Sequence, residues 1–105
     1  MGRPPPRWNG NAGFWPVWSQ RLESFAKRLQ ATDELTQAQE QAPDALALND
    51  FSTESQNKAR RLYDLFTDTL DGKPALIFKT CERGNGFQVW CKLRKEYEAR
   101  LAGRY

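Results

Sequence analysis

The sequence contains no histidine, only two cysteines and no long apolar run, and each shortage excludes a class of function. Without histidine, this segment has no His-dependent catalytic triad, no His-metal site and no zinc knuckle of the Cys-Cys-His-Cys type. Cys81 and Cys91 are ten residues apart, which matches no zinc-binding spacing. Both lie beside large apolar residues, so we interpret them as small core or boundary residues in a reducing compartment and expect a cytoplasmic protein.

No apolar run approaches the ~20 residues of a membrane-spanning helix, and the N-terminus lacks the apolar centre of a secretory signal. We therefore expect no membrane partner. The motifs of phosphate-binding loops, dinucleotide-binding folds and serine hydrolases are also missing. We expect no enzymatic activity, no cofactor and no small-molecule substrate.

Two weaker patterns remain. The segment Arg83-Gly84-Asn85-Gly86 fits an anion-binding nest, but a helix-capping turn that uses glycine for positive φ explains it better. Asp64, Asp68 and Asp71 share a helix face and fit a Mg²⁺ site, but a solvated acidic face is the better interpretation.

One run dominates what the sequence does contain. After a turn with two glycines, large apolar side chains recur every three or four residues, at Phe87, Trp90, Leu93, Tyr97 and Leu101. This spacing predicts an amphipathic α-helix over residues 86–102, with Gln88 and the charged side chains on its polar face.

The same kind of spacing predicts two other long helices. One covers residues 16–31, with Pro16 in its first turn. The other covers residues 53–71, with a capping box at Thr53-Glu54-Ser55-Gln56 and Gly72 as its stop signal.

The remaining segments give weaker signals. Residues 74–81 predict a short apolar helix, because a strand there would have no second strand to pair with. Residues 30–44 are polar on all sides and predict either a weakly packed helix or a mobile connection.

Together these elements predict an all-α fold, a small bundle of four to five helices over residues 14–105, after an extended Pro/Gly-rich arm at residues 1–13. At 105 residues we expect one domain. The predicted core consists of Trp18, Leu22, Phe25, Leu62, Phe66, Phe87, Trp90, Leu93 and Tyr97.

Aromatic residues and arginines are interleaved near the N-terminus. Such an arrangement stacks on single-stranded nucleic acid, contacts a protein partner, or packs the arm against the domain. Packing is the favoured interpretation. The candidate partner or RNA contacts are Arg3, Arg7, Trp8, Trp15 and Arg21.

Charge is unevenly distributed along the chain. Residues 1–31 have five basic and one acidic side chain, and residues 58–105 have eleven basic and six acidic ones. Residues 32–57, here called the acidic segment, have six acidic side chains and no basic one. The pattern fits a nucleic-acid-binding patch, although solvated helix faces are the favoured interpretation.

Two short motifs resemble those of a known family. Gly84-Asn85-Gly86-Phe87-Gln88-Val89-Trp90-Cys91-Lys92-Leu93, with Tyr97 beyond it, resembles the Asn-Gly-Phe-x-x-Trp-x-x-Leu-x-x-x-Tyr segment of Gag proteins from Copia-type LTR retrotransposons. Trp8-Asn9-Gly10, followed by Trp18 and Leu22, is similar to the aromatic-x-Gly…Trp…Leu opening of the same proteins. Between the motifs, only the pattern of helix, glycine break and short apolar helix agrees.

The resemblance implies a capsid-like, all-helical Gag domain that self-assembles into particles around the element's RNA, as the N-terminal part of a longer polyprotein. It implies a non-enzymatic homo-oligomer with weak, salt-dependent RNA binding through Arg and Lys side chains. Family members often continue into a zinc knuckle, for which this sequence has no histidine. The alternative is a small helical binding module that engages nucleic acid or a protein partner through its Trp/Arg-rich N-terminal region.

Overall fold

The computed structural model describes the backbone of residues 5–102 and the side chains of residues 5–98. Within this range the chain is all-α, as predicted, and its only extended pairing is one isolated bridge between Trp8 and Leu70. Three short 3₁₀ turns lie at Ala12–Phe14, Pro43–Ala45 and Leu48–Asp50. The five α-helices are α1 (Trp15–Arg28), α2 (Thr32–Gln39), α3 (Thr53–Thr69), α4 (Gly72–Lys79) and α5 (Gly86–Ala102).

Helix α5 lies at the centre of the fold and is covered on several sides. It packs against α2, α3, α4 and the turn Pro43–Ala45. The predicted apolar stripe of α5 is buried from Phe87 to Tyr97, and Leu101 lies outside the described side chains. The expected polar face is wrong in the first turns of the helix. Gln88, Val89 and Cys91 are also buried, because α2 and the turn Pro43–Ala45 cover that side.

The start of α5 lies directly against the middle of α3. A Cβ atom on Gly86 would be 2.5 Å from the Ala59 carbonyl oxygen and 2.6 Å from the Leu62 Cβ. Gly86 is therefore needed for the close approach of two helices. Gly84 has the positive φ, 81°, that the capping-turn interpretation expected of a glycine.

Helix α1 presents a slightly different face to the core than its sequence predicts. Trp15, Trp18, Leu22 and Ala26 are buried, at steps of three and four residues. Phe25 is a correction to the predicted core: it is only partly buried and lies at the edge of the α1–α3 contact. Ala26 is fully buried, so at this turn of α1 the small side chain of Ala26 faces the core in place of Phe25.

The polar stretch after α1 contains a packed helix. Helix α2 buries Leu35 and Ala38, and Ala31 just before it is also buried. These residues follow the helical period, but two of them are alanines, so the apolar signal is weak. Their small side chains let α2 lie close to α5, where the Cys91 thiol is 3.1 Å from the Ala38 carbonyl oxygen.

Two helix boundaries differ from their predicted signals. Ser52, one residue before the predicted cap, caps α3 by accepting a hydrogen bond from the Ser55 amide at 3.1 Å. Gln56 donates to the Phe51 carbonyl at 2.8 Å instead of completing the predicted capping box. Gly72 begins α4, where its φ of 59° and its contact with the Asn9 backbone exclude a larger residue.

A substitution at Trp90 tests whether α5 lies at the centre of the core. Its side chain is 1% exposed and its ring lies 5.6 Å from that of Trp15. We expect Trp90→Ala to reduce the free energy of unfolding by about 3–5 kcal/mol, because truncation of a buried aromatic leaves a cavity. Urea denaturation measures the change. A variant that unfolds like the parent contradicts the burial of this ring.

A substitution at Gly86 tests how closely α3 and α5 approach each other. We expect Gly86→Ala to destabilise the fold although alanine favours helices, because the added methyl group overlaps α3 and overpacking costs about 1–3 kcal/mol. Gly13→Ala is the matched control, since its added Cβ meets only the Asn11 side chain, at 3.3 Å. Thermal melts of both variants should show a loss at Gly86 that clearly exceeds any loss at Gly13.

Candidate functional site

The aromatic side chains near the N-terminus are part of the core. Trp8 and Trp15 are each 2% exposed. The Trp8 ring lies 4.8 Å from that of Trp18 and 4.6 Å from that of Tyr97, and Trp15 lies 5.8 Å from Tyr97. Both rings are therefore packed in the core, which agrees with the favoured interpretation of this segment, and neither ring is accessible for stacking in this fold.

Backbone hydrogen bonds hold the segment around Trp8 in place. The Trp8 amide donates to the Thr69 carbonyl at 2.8 Å, and the Asp71 amide donates to the Trp8 carbonyl at 2.9 Å. The indole N–H of Trp18 donates to the Pro6 carbonyl at 2.8 Å. The segment thus joins the α3–α4 junction and covers one end of the core.

The arginines predicted as contacts have different surroundings. Arg7 donates two hydrogen bonds, of 3.0 and 2.9 Å, to the Asp71 carboxylate, and this bidentate pair raises the pKa of Arg7. Arg21 is exposed on α1. Arg3 lies outside the described residues. Among the candidate contacts that the structure describes, Arg21 is therefore the exposed side chain that has no ion pair with a described residue.

The turn before α5 caps that helix with its own side chain. Asn85 is fully buried, and its side-chain oxygen accepts from the Gln88 amide at 3.1 Å. Its amide nitrogen donates to the Leu46 carbonyl at 3.0 Å and to the Glu82 carboxylate at 3.1 Å. The helix start is thus satisfied internally, in agreement with the capping interpretation.

The same turn also holds the middle of the acidic segment. The Leu48 amide donates to Glu82 at 2.8 Å, and the Gln88 side chain donates to the Pro43 carbonyl at 2.9 Å. Gln88 also accepts from the Glu82 amide at 2.6 Å. Because these bonds are partly or fully buried, residues 43–48 have a defined conformation although they lack a long helix.

The remaining polar candidates are the three aspartates in and just after α3 and the two cysteines. No cluster of three or more potential metal ligands occurs among the described residues. Asp64 and Asp68 are exposed, and Asp71 is paired with Arg7. Cys81 and Cys91 are free thiols, and burial raises the pKa of Cys91 to about 11 and also raises that of Cys81.

A groove of about 630 Å³ runs between α4 and α5 and ends at the turn Pro43–Ala45. Leu76 and Ile77 of α4 form its apolar wall. Leu76 is 62% exposed, the highest value for a large apolar side chain in the described part of the chain. Sequence reasoning missed this surface, although α4 is apolar on nearly every side and so short a helix must expose part of that surface.

Lysines border this groove. Lys73 forms an ion pair of 2.8 Å with Glu96, and Lys92 forms one of 3.5 Å with Asp44. Lys95 also lines the groove and is exposed, and no described carboxylate lies within 4 Å of its ammonium group. The groove is thus an apolar surface whose border has three lysines and two acids, Asp44 and Glu96, which pair with two of the lysines and leave the charge of Lys95 unbalanced.

A smaller pocket of about 160 Å³ opens in the acidic segment. Its apolar lining comes from Ala45, Leu46, Ala47 and Phe51, and Asp50 lies on its rim. Ala45, Ala47 and Asp50 are exposed. This pocket combines a small apolar depression with the polar side chains of Gln37 and Gln41 and with one acid, Asp50.

Comparison with protein-family models, with curated proteins and with solved structures found no match. None of the helices in residues 5–102 has the length and apolar character that a membrane crossing requires.

Asn85 tests the polar contacts that hold the acidic segment. We expect Asn85→Ala to cost about 2–4 kcal/mol of folding free energy, because it removes a helix cap and leaves buried groups at Leu46 and Gln88 without partners. Asn57→Ala is the control, since Asn57 is exposed and makes one hydrogen bond of 3.3 Å to Arg60. Denaturant titration of both variants measures the difference, and equal stabilities would contradict this role for Asn85.

Proposed function

We propose that this chain is a non-enzymatic structural protein, a capsid-like fragment of a retrotransposon Gag polyprotein, that associates with copies of itself and packages element RNA. The observation that carries self-association is the exposed Leu76 side chain on α4, which has lysines beside it and is here called the Leu76 ridge. The same chain also has an acidic segment without basic residues. The resemblance of two motifs to Copia-type Gag proteins supports the same class.

Both motifs of the resemblance have structural roles that fit this proposal. Trp8 and Trp90 belong to one buried aromatic group, and Asn85 caps the helix that this group covers. The motif residues therefore maintain the fold. Self-association in this proposal depends on the faces that they leave outside, above all α4.

The alternative, a binding module that acts through the Trp/Arg-rich N-terminal region, has less support. Its tryptophans are buried, and Arg7 is engaged by Asp71. Stacking on nucleic acid requires an exposed ring, so this alternative would need the N-terminal segment to detach from the core.

RNA binding in this proposal is weak and electrostatic. Arg28 and Arg61 are exposed and line one surface depression between α1 and α3, together with Lys58. Lys58 is engaged by Glu34 at 3.0 Å, so the arginines supply the free charge of this face. Contacts of this kind follow the phosphate backbone and weaken steeply as salt increases.

Light scattering over a range of protein concentrations tests the proposed function. We expect the average mass to rise with concentration and to exceed that of a dimer, because capsid-like assembly needs each copy to contact more than one neighbour. A mass that stays at 12.1 kDa at millimolar protein would sink the proposal. A monomer that still shifts an RNA probe at low salt would favour the binding-module alternative.

A further inference from the structure

We propose that the Leu76 ridge of one copy inserts into the acid-rimmed pocket at residues 45–51 of a second copy, and so forms a head-to-tail contact. The inference rests on the proposed self-association and deepens it by assigning the two surfaces that meet. It follows from the shape, charge and rigidity of surfaces that lie on different parts of the same chain.

The apolar part of the contact, here called the knob, is the exposed Leu76 side chain on the α4 side of the groove, with lysines beside it. Leu76 is 62% exposed, and Lys73 and Lys79 are three residues before and after it, on the same side of α4. Lys95 faces the same groove from α5. An isobutyl side chain so exposed on a short helix gains from burial, whereas the lysines favour an acidic partner.

The pocket in the acidic segment has the complementary form. Its volume is about 160 Å³, and cavities of about 150 Å³ accept a benzene-sized group, which is close to the size of a leucine side chain. Ala45 and Ala47 line it with short side chains and are exposed. Asp50 on the rim is exposed and has no ion pair among the described residues.

The pocket is rigid enough to act as a receptor. The Asn85 side chain holds the Leu46 carbonyl at 3.0 Å, and Glu82 holds the Leu48 amide at 2.8 Å. These bonds reach the pocket from the capped turn before α5. A preformed pocket lowers the entropy cost of binding and favours a specific contact over a general attraction between charges.

The charges on these surfaces already attract each other within one chain. Lys92 of the groove pairs with Asp44 of the acidic segment at 3.5 Å. The same pairing between copies would engage Lys79 and Lys95 with acids such as Asp50, which have no described partner within the chain. Because the knob and the pocket are different surfaces, each copy offers one of each, and the contact can repeat.

The test uses two variants of the full chain and their mixture. Leu76→Gln removes the apolar knob and keeps a helix-compatible side chain, and Asp50→Lys reverses the charge on the pocket rim. We expect each variant alone to associate at least about ten-fold more weakly than the parent, from the lost apolar burial or the reversed charge. Sedimentation velocity over a concentration series measures this, and circular dichroism establishes that both variants are folded.

An equimolar mixture of the two variants gives the deciding result. The Asp50→Lys chain keeps an intact knob and the Leu76→Gln chain keeps an intact pocket, so the mixture should form a two-chain species that neither variant forms alone. Val17→Gln, at the other exposed large apolar residue, and Asp64→Lys, at an exposed acid of α3, are the matched controls. Both controls should associate as the parent does.

Four outcomes overturn the inference. If the parent associates and both variants associate equally well, the chain does self-associate, but not through these two surfaces. If both variants lose association and their mixture remains monomeric, the two surfaces do not meet each other. A parent that stops at a dimer excludes the head-to-tail contact, and a strictly monomeric parent removes the proposed function as well.

Discussion

The fold depends on the removal of helix α5 from water along its first three turns. Phe87, Trp90 and Leu93 lie on one stripe of the helix and Gln88, Val89 and Cys91 lie outside it, yet all six are buried, so a single neighbouring helix cannot cover them. Helices α2, α3 and α4 and the turn Pro43–Ala45 therefore surround α5. Close packing of α3 requires glycine at position 86, and close packing of α2 requires alanine at position 38. The segments that look least structured in the sequence are thus needed to enclose its most apolar helix.

The N-terminal segment completes this enclosure in a different way. Residues 5–11 form no helix, and they fill the end of the core with the Trp8 indole, which contacts Trp18 and Tyr97. Aromatic rings supply large buried areas at a low entropy cost, so one tryptophan on an extended segment can close a small core. Two backbone hydrogen bonds to the α3–α4 junction then fix its register. This arrangement explains how tryptophans flanked by arginines can be structural, although the same pattern in sequence suggests a binding surface.

Residue patterns predict the long helices well because large apolar side chains mark them at regular steps. Trp18, Leu22, Leu62 and Phe66 show this, and all four are fully buried. The failures have physical causes. Alanine gives little hydrophobic signal although it is the residue that lets helices approach, so α2 was predicted only as one of two alternatives. Leu76 gives a strong signal but is exposed, because sequence periodicity cannot tell which side of a short, uniformly apolar helix faces the core. The pocket at residues 45–51 depends on side chains from a distant turn, which no local pattern contains.

The distribution of charge over the folded chain affects how two copies would associate. The acidic segment neutralises only part of its charge within the chain, through ion pairs of Glu34 and Glu54 with Lys58 and of Asp44 with Lys92. Asp33, Glu40 and Asp50 are exposed, and none of them has an ion pair among the described residues. Asp50 beside the pocket and Lys95 beside the Leu76 ridge have opposite charges, so a contact between these two unlike surfaces gains an attraction that a contact of either surface with its own kind does not. A head-to-tail contact brings the two surfaces together at every interface, and it is the geometry that lets a small contact build a large assembly.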